Sequence, residues 1–240
     1  MRKFAVLLLA ITAWPGGAFA YRPFDSTDPA VADLGDFEIE LSPVSFRHGD
    51  DGPAWISPAA RLNYGFAQDW EVVLEGQAEH SEHGRSSLVE NALSVKGVLQ
   101  EGSLQDKSGL SVATELSVLL PGINDQSGAG VGVTGIAGER WEWGALHVNF
   151  GVSRSREGAG EIFFGTILEG PTDWTVRPAV EFVYDREFGN MERLSLLAGL
   201  IWQASDKLAF DLGVRQARIN SRPDTEVRAG LTFAFSVLDH

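Results

Sequence analysis

The chain has 240 residues, a formal net charge of −14 and no cysteine. The negative charge argues against binding to nucleic acid or to anionic lipid headgroups. The absence of cysteine argues against a loop-rich secreted fold held together by disulfides. Such an excess of acidic residues fits a protein with an acidic lumen or acidic rims.

Residues 1–20 are predicted to form a cleaved signal peptide. Arg2 and Lys3 give it a positive start, residues 4–13 form an apolar run, and an Ala-Phe-Ala cleavage site ends at residue 20. The mature chain would begin at Tyr21, and loss of the two cations would take the charge from −14 to −16. The apolar run is too short to be favoured as a membrane anchor, and no other long apolar stretch follows. We therefore expect an exported protein without a transmembrane helix.

From Asp36 onward, apolar residues recur at every second position, and charges fall mostly on the other parity. Period two is the pattern of a strand with two unlike faces. A strand needs only about ten residues to cross a bilayer when tilted. The repeated pattern predicts an all-β fold, an antiparallel up-and-down transmembrane β-barrel of about 12 strands. The predicted strands cover residues 36–48, 54–66, 69–80, 88–100, 108–120, 128–140, 142–155, 160–170, 173–186, 193–204, 206–218 and 225–237.

The turn signals divide the mature chain into two parts. Residues 21–35 are predicted to be an irregular N-terminal lead that could act as a plug, and residues 36–240 to be the barrel. Short turns and longer connections largely alternate, as in outer-membrane barrels with short inner turns and longer outer loops. The exception is a long connection at residues 101–107, on the predicted inner side. An even number of strands would leave both chain ends in the periplasm.

The apolar parity is predicted to face lipid. No charge occurs in the middle of a strand on this parity, where a Lys or Arg would cost about 2–4 kcal/mol. A soluble sandwich would instead bury its Leu and Phe side chains and expose its charges. Aromatic residues lie toward the strand ends, as in the interfacial girdles of outer-membrane barrels. These residues are Trp55, Phe66, Trp70, Trp141, Trp143, Trp174, Trp202 and Phe235.

The opposite parity carries the candidate lumen residues. A ring of carboxylates would favour cations over anions. Alternatively, arginines pair with these acids and simply fill the interior, and some pairing is expected because unpaired buried charges are costly. The candidates are Glu38, Glu40, Arg61, Glu71, Glu75, Glu79, Glu90, Lys96, Glu115, His147, Arg177, Glu181, Asp211, Arg215 and Arg228.

Three prolines interrupt the strand pattern. Pro178 lies in the middle of a predicted strand, where proline removes a ladder hydrogen bond, so we expect a bulge or a shifted boundary there. Pro43 and Pro58 raise the same question in the first two strands.

Motifs for other chemistry are weak. His147 with Ser153 or Ser155 could form a hydrolase site, but a polar lumen residue explains the histidine with no further assumption and is the preferred interpretation. The acidic and histidine-rich residues 79–83 could ligate a metal, although a solvated loop is the simpler interpretation. Residues 130–135 match a dinucleotide-binding pattern but precede no helix. We expect no catalytic residues, no cofactor and no metal.

The mature N-terminus carries a family resemblance. Tyr-Arg-Pro-Phe stands at residues 21–24, Thr-Asp-Pro-Ala at 27–30, and an acidic first strand follows at 35–40. With weaker matches at residues 62–66, 92–97 and 115–122, the chain resembles bacterial outer-membrane proteins named for the meta-pathway of phenol degradation. The resemblance implies an outer-membrane barrel that moves aromatic or other small hydrophobic compounds.

We therefore predict an outer-membrane channel for passive passage of small solutes. Twelve strands lie between the filled eight-stranded barrels and the wide pores of 16 or more strands, so the lumen should be narrow. The alternatives are a structural or adhesive barrel without an open pore and a barrel-embedded hydrolase. The expected partners are outer-membrane lipid, the barrel-assembly machinery and a small-molecule solute, with no nucleic acid.

Overall fold

The computed structural model describes residues 22–50, 52–81 and 84–237. The predicted signal peptide, the predicted mature start at Tyr21 and residues 82–83 lie outside the described residues. Cleavage of the signal peptide therefore stays a prediction.

Twelve antiparallel strands form a closed barrel. Each strand pairs with its sequence neighbours, and the first strand pairs with the last to close the sheet. The predicted fold and strand number are confirmed. The strands are β1 (Asp36–Gly49), β2 (Gly52–Ala67), β3 (Trp70–Ser81), β4 (Ser86–Gln100), β5 (Ser111–Leu119), β6 (Gly130–Trp141), β7 (Gly144–Arg154), β8 (Gly160–Glu169), β9 (Val176–Glu187), β10 (Met191–Ser205), β11 (Leu208–Ile219) and β12 (Arg222–Ser236).

The two faces of the sheet have opposite character. Outward-facing Phe150 and Leu196 are 57% and 54% exposed, whereas inward-facing Val73 and Lys96 are 0% exposed. The apolar parity thus covers the exterior and the charged parity lies inside, as the sequence predicts. Closure pairs the edge strands, so the sheet keeps no free edge. Within the described residues, no helix is both long and apolar enough to be a membrane span.

Exposed tryptophans are concentrated at the rim where β1 begins and β12 ends, which we call the terminal rim. Trp141, the last residue of β6, stacks on Trp143 with ring centroids 5.1 Å apart and an interplanar angle of 4°. Rings at strand ends are typical of the boundary between apolar and polar surroundings. The described tryptophans at the terminal rim are Trp70, Trp141, Trp143, Trp174 and Trp202, and Trp55 lies toward the opposite rim.

The predicted alternation of short and long connections is not observed. Strands extend into the predicted loops, so that β1 and β2 still pair at Gly49 and Gly52. The two longest connections between described strands, residues 101–110 and 120–129, lie one at each rim. The first contains a 3-10 turn, Ser103–Gln105, whose Leu104 is buried. Continued hairpin pairing shortens predicted outer loops such as the one between β1 and β2, whereas the outer connection at residues 120–129 remains long.

The prolines behave in two ways. Register shifts occur at Pro43 in the β1–β12 ladder and at Pro58 in the β2–β3 ladder, so the irregularities expected there are confirmed. At Pro178 the structure shows the expected shifted boundary and no bulge: β9 begins at Val176, so Pro178 is its third residue, and its pairing with Leu200 is regular. The carbonyl of Pro178 accepts a 2.8 Å hydrogen bond from the N–H of Gly170, which follows the last residue of β8. The nitrogen of Pro178 points to the same side, beyond the end of β8, so its missing N–H removes no hydrogen bond within β8.

Candidate functional site

The N-terminal segment, residues 22–35, runs through the barrel interior. At one end Arg22 Nε lies 3.5 Å from Asp211 of β11. Near the other end the backbone N–H of Ala32 donates to Glu71 of β3 at 2.7 Å. These contacts reach inward-facing residues on two strands that are four positions apart around the twelve-stranded barrel. The segment therefore lies where a plug would lie.

Inward-facing side chains satisfy the backbone of this segment. The carboxylate of Glu181 accepts the backbone N–H of Asp25 at 2.9 Å and that of Ser26 at 2.6 Å. The side-chain amide of Asn149 accepts from the N–H of Thr27 and donates to its carbonyl, at 3.1 and 2.7 Å. Buried backbone groups need such partners because no water replaces them. The interior side chains are therefore matched to this one segment.

Glycines in the barrel wall allow the segment to approach closely. A Cβ at Gly65 would overlap the carbonyl oxygens of residues 32 and 33, and a Cβ at Gly165 would overlap the hydroxyl of Ser26. Gly65 also accepts a 2.7 Å hydrogen bond from the N–H of Gly35. A larger residue at either glycine would displace the segment.

The acidic cluster lines the wall formed by β1 to β5. The Arg61 guanidinium lies 2.8 Å from Glu75, 3.2 Å from Glu115 and 3.8 Å from Glu40. Lys96 is 0% exposed and its Nζ lies 3.5 Å from Glu71. The two cations within the wall thus offset two of its five carboxylates. The cluster comprises Glu38, Glu40, Glu71, Glu75 and Glu115 with Arg61 and Lys96.

The arginine cluster lines the wall formed by β10 to β12 and comprises Arg193, Arg215 and Arg228. All three guanidiniums converge on Asp25 of the N-terminal segment, at 2.9, 3.1 and 2.7 Å. Burial raises the pKa of this carboxyl, but Arg228, Arg193 and Arg215 outweigh burial and hold the pKa well below its usual range. Asp25 is therefore ionised at neutral pH when the segment is in place.

His147 lies between the two clusters and contacts Glu169. Its Nε2 is 3.4 Å from a Glu169 oxygen, and the other oxygen of that carboxylate is 2.8 Å from Arg177. The hydroxyls of Ser153 and Ser155 donate elsewhere, to Glu161 and Glu187. The structure therefore does not assemble the serine–histidine pair that a hydrolase would need.

The possible metal loop is only partly described. The Nδ1 of His80 lies 2.9 Å from the Ser86 hydroxyl and its Nε2 3.1 Å from a backbone carbonyl, while Glu79 pairs with Arg47 at 2.6 Å. Glu82 and His83 lie outside the described residues. Among the described residues, no group of three or more His, Asp or Glu side chains is arranged to hold a metal ion.

Glu90 departs from its predicted place in the lumen. Its side chain is 57% exposed and contacts Gln126 and Arg156 at the rim opposite the terminal rim. An extra residue in β4 shifts the β3–β4 register between Glu75 and Gln77, which reverses the parity of the strand beyond it. The other candidates are inward-facing and buried or half-buried: Glu38, Glu40, Arg61, Glu71, Glu75, Glu79, Lys96, Glu115, His147, Arg177, Glu181, Asp211, Arg215 and Arg228.

The candidate set lacked several residues that the structure brings together. Asp25 lies in an irregular segment, where strand parity carries no information. Arg193 and Asp185 pair at 3.4 Å, and Glu226 lies 2.7 Å from Arg215. These strand residues share the inward parity, so a strict parity count would have included them.

Comparison with known proteins identifies a fold. No family model and no curated protein sequence matches the chain. Two solved porins are similar. The KdgM porin in complex with disordered oligogalacturonate has a TM-score of 0.58 and 10% identity, and the match covers 82% of this chain and 99% of that porin. The NanC porin has a TM-score of 0.59 and 8% identity, and the match covers 82% of this chain and 98% of that porin. At these identities the likeness shows the fold alone. The chain thus has a porin-like β-barrel fold, and its resemblance to the meta-pathway family stays a prediction.

Proposed function

We propose that this protein is an outer-membrane channel for passive passage of small solutes, and that the N-terminal segment closes it. The observation that carries the proposal is the ionic seating of a non-strand segment inside the barrel. Asp25 has three arginine partners there, and the backbone of Ser26 bonds to Glu181. The segment is joined to the barrel only at its end near β1, so it can leave without unfolding a strand.

The exterior supports a membrane location. Its mid-strand positions carry exposed Leu, Val and Phe, and tryptophans are concentrated at the terminal rim. In water such a continuous apolar surface would drive association, whereas hydrocarbon solvates it. The predicted export signal agrees with an outer-membrane destination.

The solute class rests on the family resemblance. It implies aromatic or other small hydrophobic compounds, and it enters the proposal on that basis. A barrel of twelve strands sets the scale at small molecules, since only barrels of about 16 strands or more hold wide aqueous channels.

A gel test addresses the membrane assignment. The outer-membrane fraction should contain the protein, and its band should migrate differently with and without boiling, because a closed barrel resists unfolding in detergent. A chain that is found in the soluble periplasmic fraction and shows no shift would contradict the assignment.

Conductance in planar bilayers addresses the channel itself. Gly165→Val should displace the N-terminal segment, because a side chain there overlaps Ser26. The matched control is Gly160→Ala in the same strand, where a Cβ would meet only Phe188 at an ordinary 3.5 Å. We expect low conductance for the wild type and the control, and a clear increase for Gly165→Val.

The same experiment tests the alternative of a structural barrel without a pore. Complete burial of interior side chains favours that alternative, since Lys96 and Asn63 are both 0% exposed. If Gly165→Val keeps its heat-dependent gel shift but conducts no better than Gly160→Ala, the channel proposal fails and the structural barrel is preferred.

A further inference from the structure

The environment of Asp25 has the composition of a carboxylate-binding site. One of its oxygens lies 2.7 Å from Arg228, and the other lies 2.9 Å from Arg193 and 3.1 Å from Arg215. The three guanidiniums come from three neighbouring strands, whereas the carboxylate comes from the N-terminal segment. Guanidinium groups match carboxylates in shape and charge, and such charge-assisted bonds are among the strongest in proteins.

The arginines are held from behind by acids of the barrel itself. Glu226 lies 2.9 Å from Arg228 and 2.7 Å from Arg215. Asp185 lies 3.4 Å from Arg193. These contacts do not involve the N-terminal segment, so they persist when the segment leaves. The arginine cluster therefore keeps its geometry without Asp25.

The cluster also has unused donor capacity. The Nε atoms of Arg193 and Arg215 are buried and have no hydrogen-bond acceptor among the described residues. The side chains of Arg215 and Arg228 are only 6% and 12% exposed. Removing Asp25 would leave these buried cations short of an acceptor, which is costly.

We infer that the arginine cluster is a binding site for the carboxylate group of a small organic acid, and that Asp25 occupies it when the barrel is closed. This inference rests on the proposed channel function and narrows its solutes to those that carry a carboxylate. A solute acid and Asp25 compete for the same guanidiniums, so solute binding favours departure of the N-terminal segment.

The surrounding acids restrict the ligand to one negative charge. Glu181, Asp185, Asp224 and Glu226 all lie near the arginine cluster, and Asp224 is 3.6 Å from Arg215. Because these four carboxylates already outnumber the three guanidiniums, the second negative charge of a phosphate dianion is disfavoured, whereas a monocarboxylate carries the same single charge as the Asp25 carboxylate that it replaces. We therefore expect formate, acetate and benzoate to bind and inorganic phosphate to bind more weakly.

Chemical rescue of the full-length Asp25→Ala protein tests the inference. This variant lacks only the carboxylate, which formate supplies in the same position. In detergent micelles, sodium formate should raise the thermal midpoint of Asp25→Ala in a saturable way. Sodium chloride at equal ionic strength and sodium phosphate should raise it less. Adding Arg215→Gln should weaken the apparent formate affinity by about tenfold, the effect expected for one charge-assisted bond.

The matched control is Asp28→Ala, which removes a carboxylate from the same segment on the side of Lys96, 3.9 Å away. Formate should not rescue this variant. If formate acts equally on both variants, or no more than chloride on Asp25→Ala, the carboxylate site is contradicted. A second assay adds benzoate to Gly165→Val in a bilayer, where binding should reduce the current.

The two proposals can fail separately. Formate rescue with no conductance in Gly165→Val would keep the carboxylate site and refute the channel. Conductance without rescue, and without an effect of benzoate on the current, would keep the channel and refute the site.

Discussion

The two charged walls of the interior differ in how they balance their charge. In the acidic cluster, the barrel's own Arg61 contacts three carboxylates, Glu40, Glu75 and Glu115. In the arginine cluster, three guanidiniums converge on a carboxylate that the barrel does not supply, that of Asp25. The charge at the centre of the acidic cluster, Arg61, belongs to the barrel wall, whereas the charge at the centre of the arginine cluster, Asp25, belongs to the N-terminal segment.

The difference separates stability from closure. Charges that are balanced within a wall hold neighbouring strands together wherever the segment lies. Charges that are balanced by the segment hold the segment, and they become available to another anion when it leaves. Mutations in the two walls should therefore affect different properties of the protein.

The largest effect is expected in the acidic cluster. Arg61→Gln leaves three carboxylates without their shared cation and should lower the free energy of unfolding by about 3 kcal/mol. The seating of the N-terminal segment should change little. Denaturant unfolding followed by tryptophan fluorescence in micelles measures the loss.

Arg47→Gln is the matched control, because within the described part of the chain this inward-facing arginine forms one ion pair, with Glu79, and it is 32% exposed. It should cost less than about 1 kcal/mol, as partly solvated pairs do. Equal losses in the two variants would show that Arg61 has no central role in the wall.

A smaller effect of a different kind is expected in the arginine cluster. Arg215→Gln removes one of three bonds to Asp25 and should weaken seating of the segment by about 1.5 kcal/mol. Because the chain has no cysteine, a single cysteine replacing Ser26 reports the seating through its maleimide labelling rate. That rate should rise about tenfold for each 1.4 kcal/mol lost.

Arg218→Gln, on the outward face of the same strand, is the control and should leave the labelling rate unchanged. If Arg215→Gln instead lowers the free energy of unfolding as much as Arg61→Gln and leaves labelling unchanged, the proposed separation between the walls is wrong.

The smallest effect is expected from pH. The pKa of Asp25 is held below its usual range, so its contribution is complete above the unfolded value of about 3.9 and is lost as pH falls toward the folded value. The contribution of Asp25 to seating should be constant from about pH 5 to 7 and weaken by up to about 1.4 kcal/mol per pH unit below about 3.9. The maleimide labelling rate of the Ser26→Cys protein across pH measures the change in seating. The rate of an exposed cysteine at each pH corrects for the change in thiolate fraction.

Asp25→Asn isolates the carboxyl of Asp25 from the nearby Glu181, Asp185, Asp224 and Glu226. The acid-dependent component should disappear in this variant. An unchanged pH profile would assign the acid response to residues other than Asp25.

Much of the fold could be predicted because strand parity is a local property. Each strand carries its own alternation, so neither register nor partners were needed to identify twelve strands or to assign their faces. The misassignment of Glu90 shows the limit, since one extra residue in β4 reverses parity. Pro178 shows a second limit, because a proline is tolerated at that position only since the neighbouring strand, β8, has already ended there.

The site was less predictable because it depends on contacts across the barrel. Strand parity placed Arg215 and Arg228 on the inward face, but parity could not show that both contact the same carboxylate. Asp25 precedes the first strand by eleven residues, and only the closed barrel shows that it meets strands from the other end of the chain. The charge composition suggested an acidic lumen, which stays a prediction, but it gave no sign that three arginines would gather on one wall.

Maleimide labelling of a single cysteine at position 26 tests the central claim most directly, namely that the N-terminal segment is seated inside the folded barrel. Ser26 is 6% exposed, and Ser205 at the terminal rim is exposed and serves as the reference position. In protein that still shows the heat-dependent gel shift, Ser26→Cys should label far more slowly than Ser205→Cys, and Asp25→Ala should accelerate it. Equal labelling rates at the two positions in the otherwise unchanged protein would contradict the account.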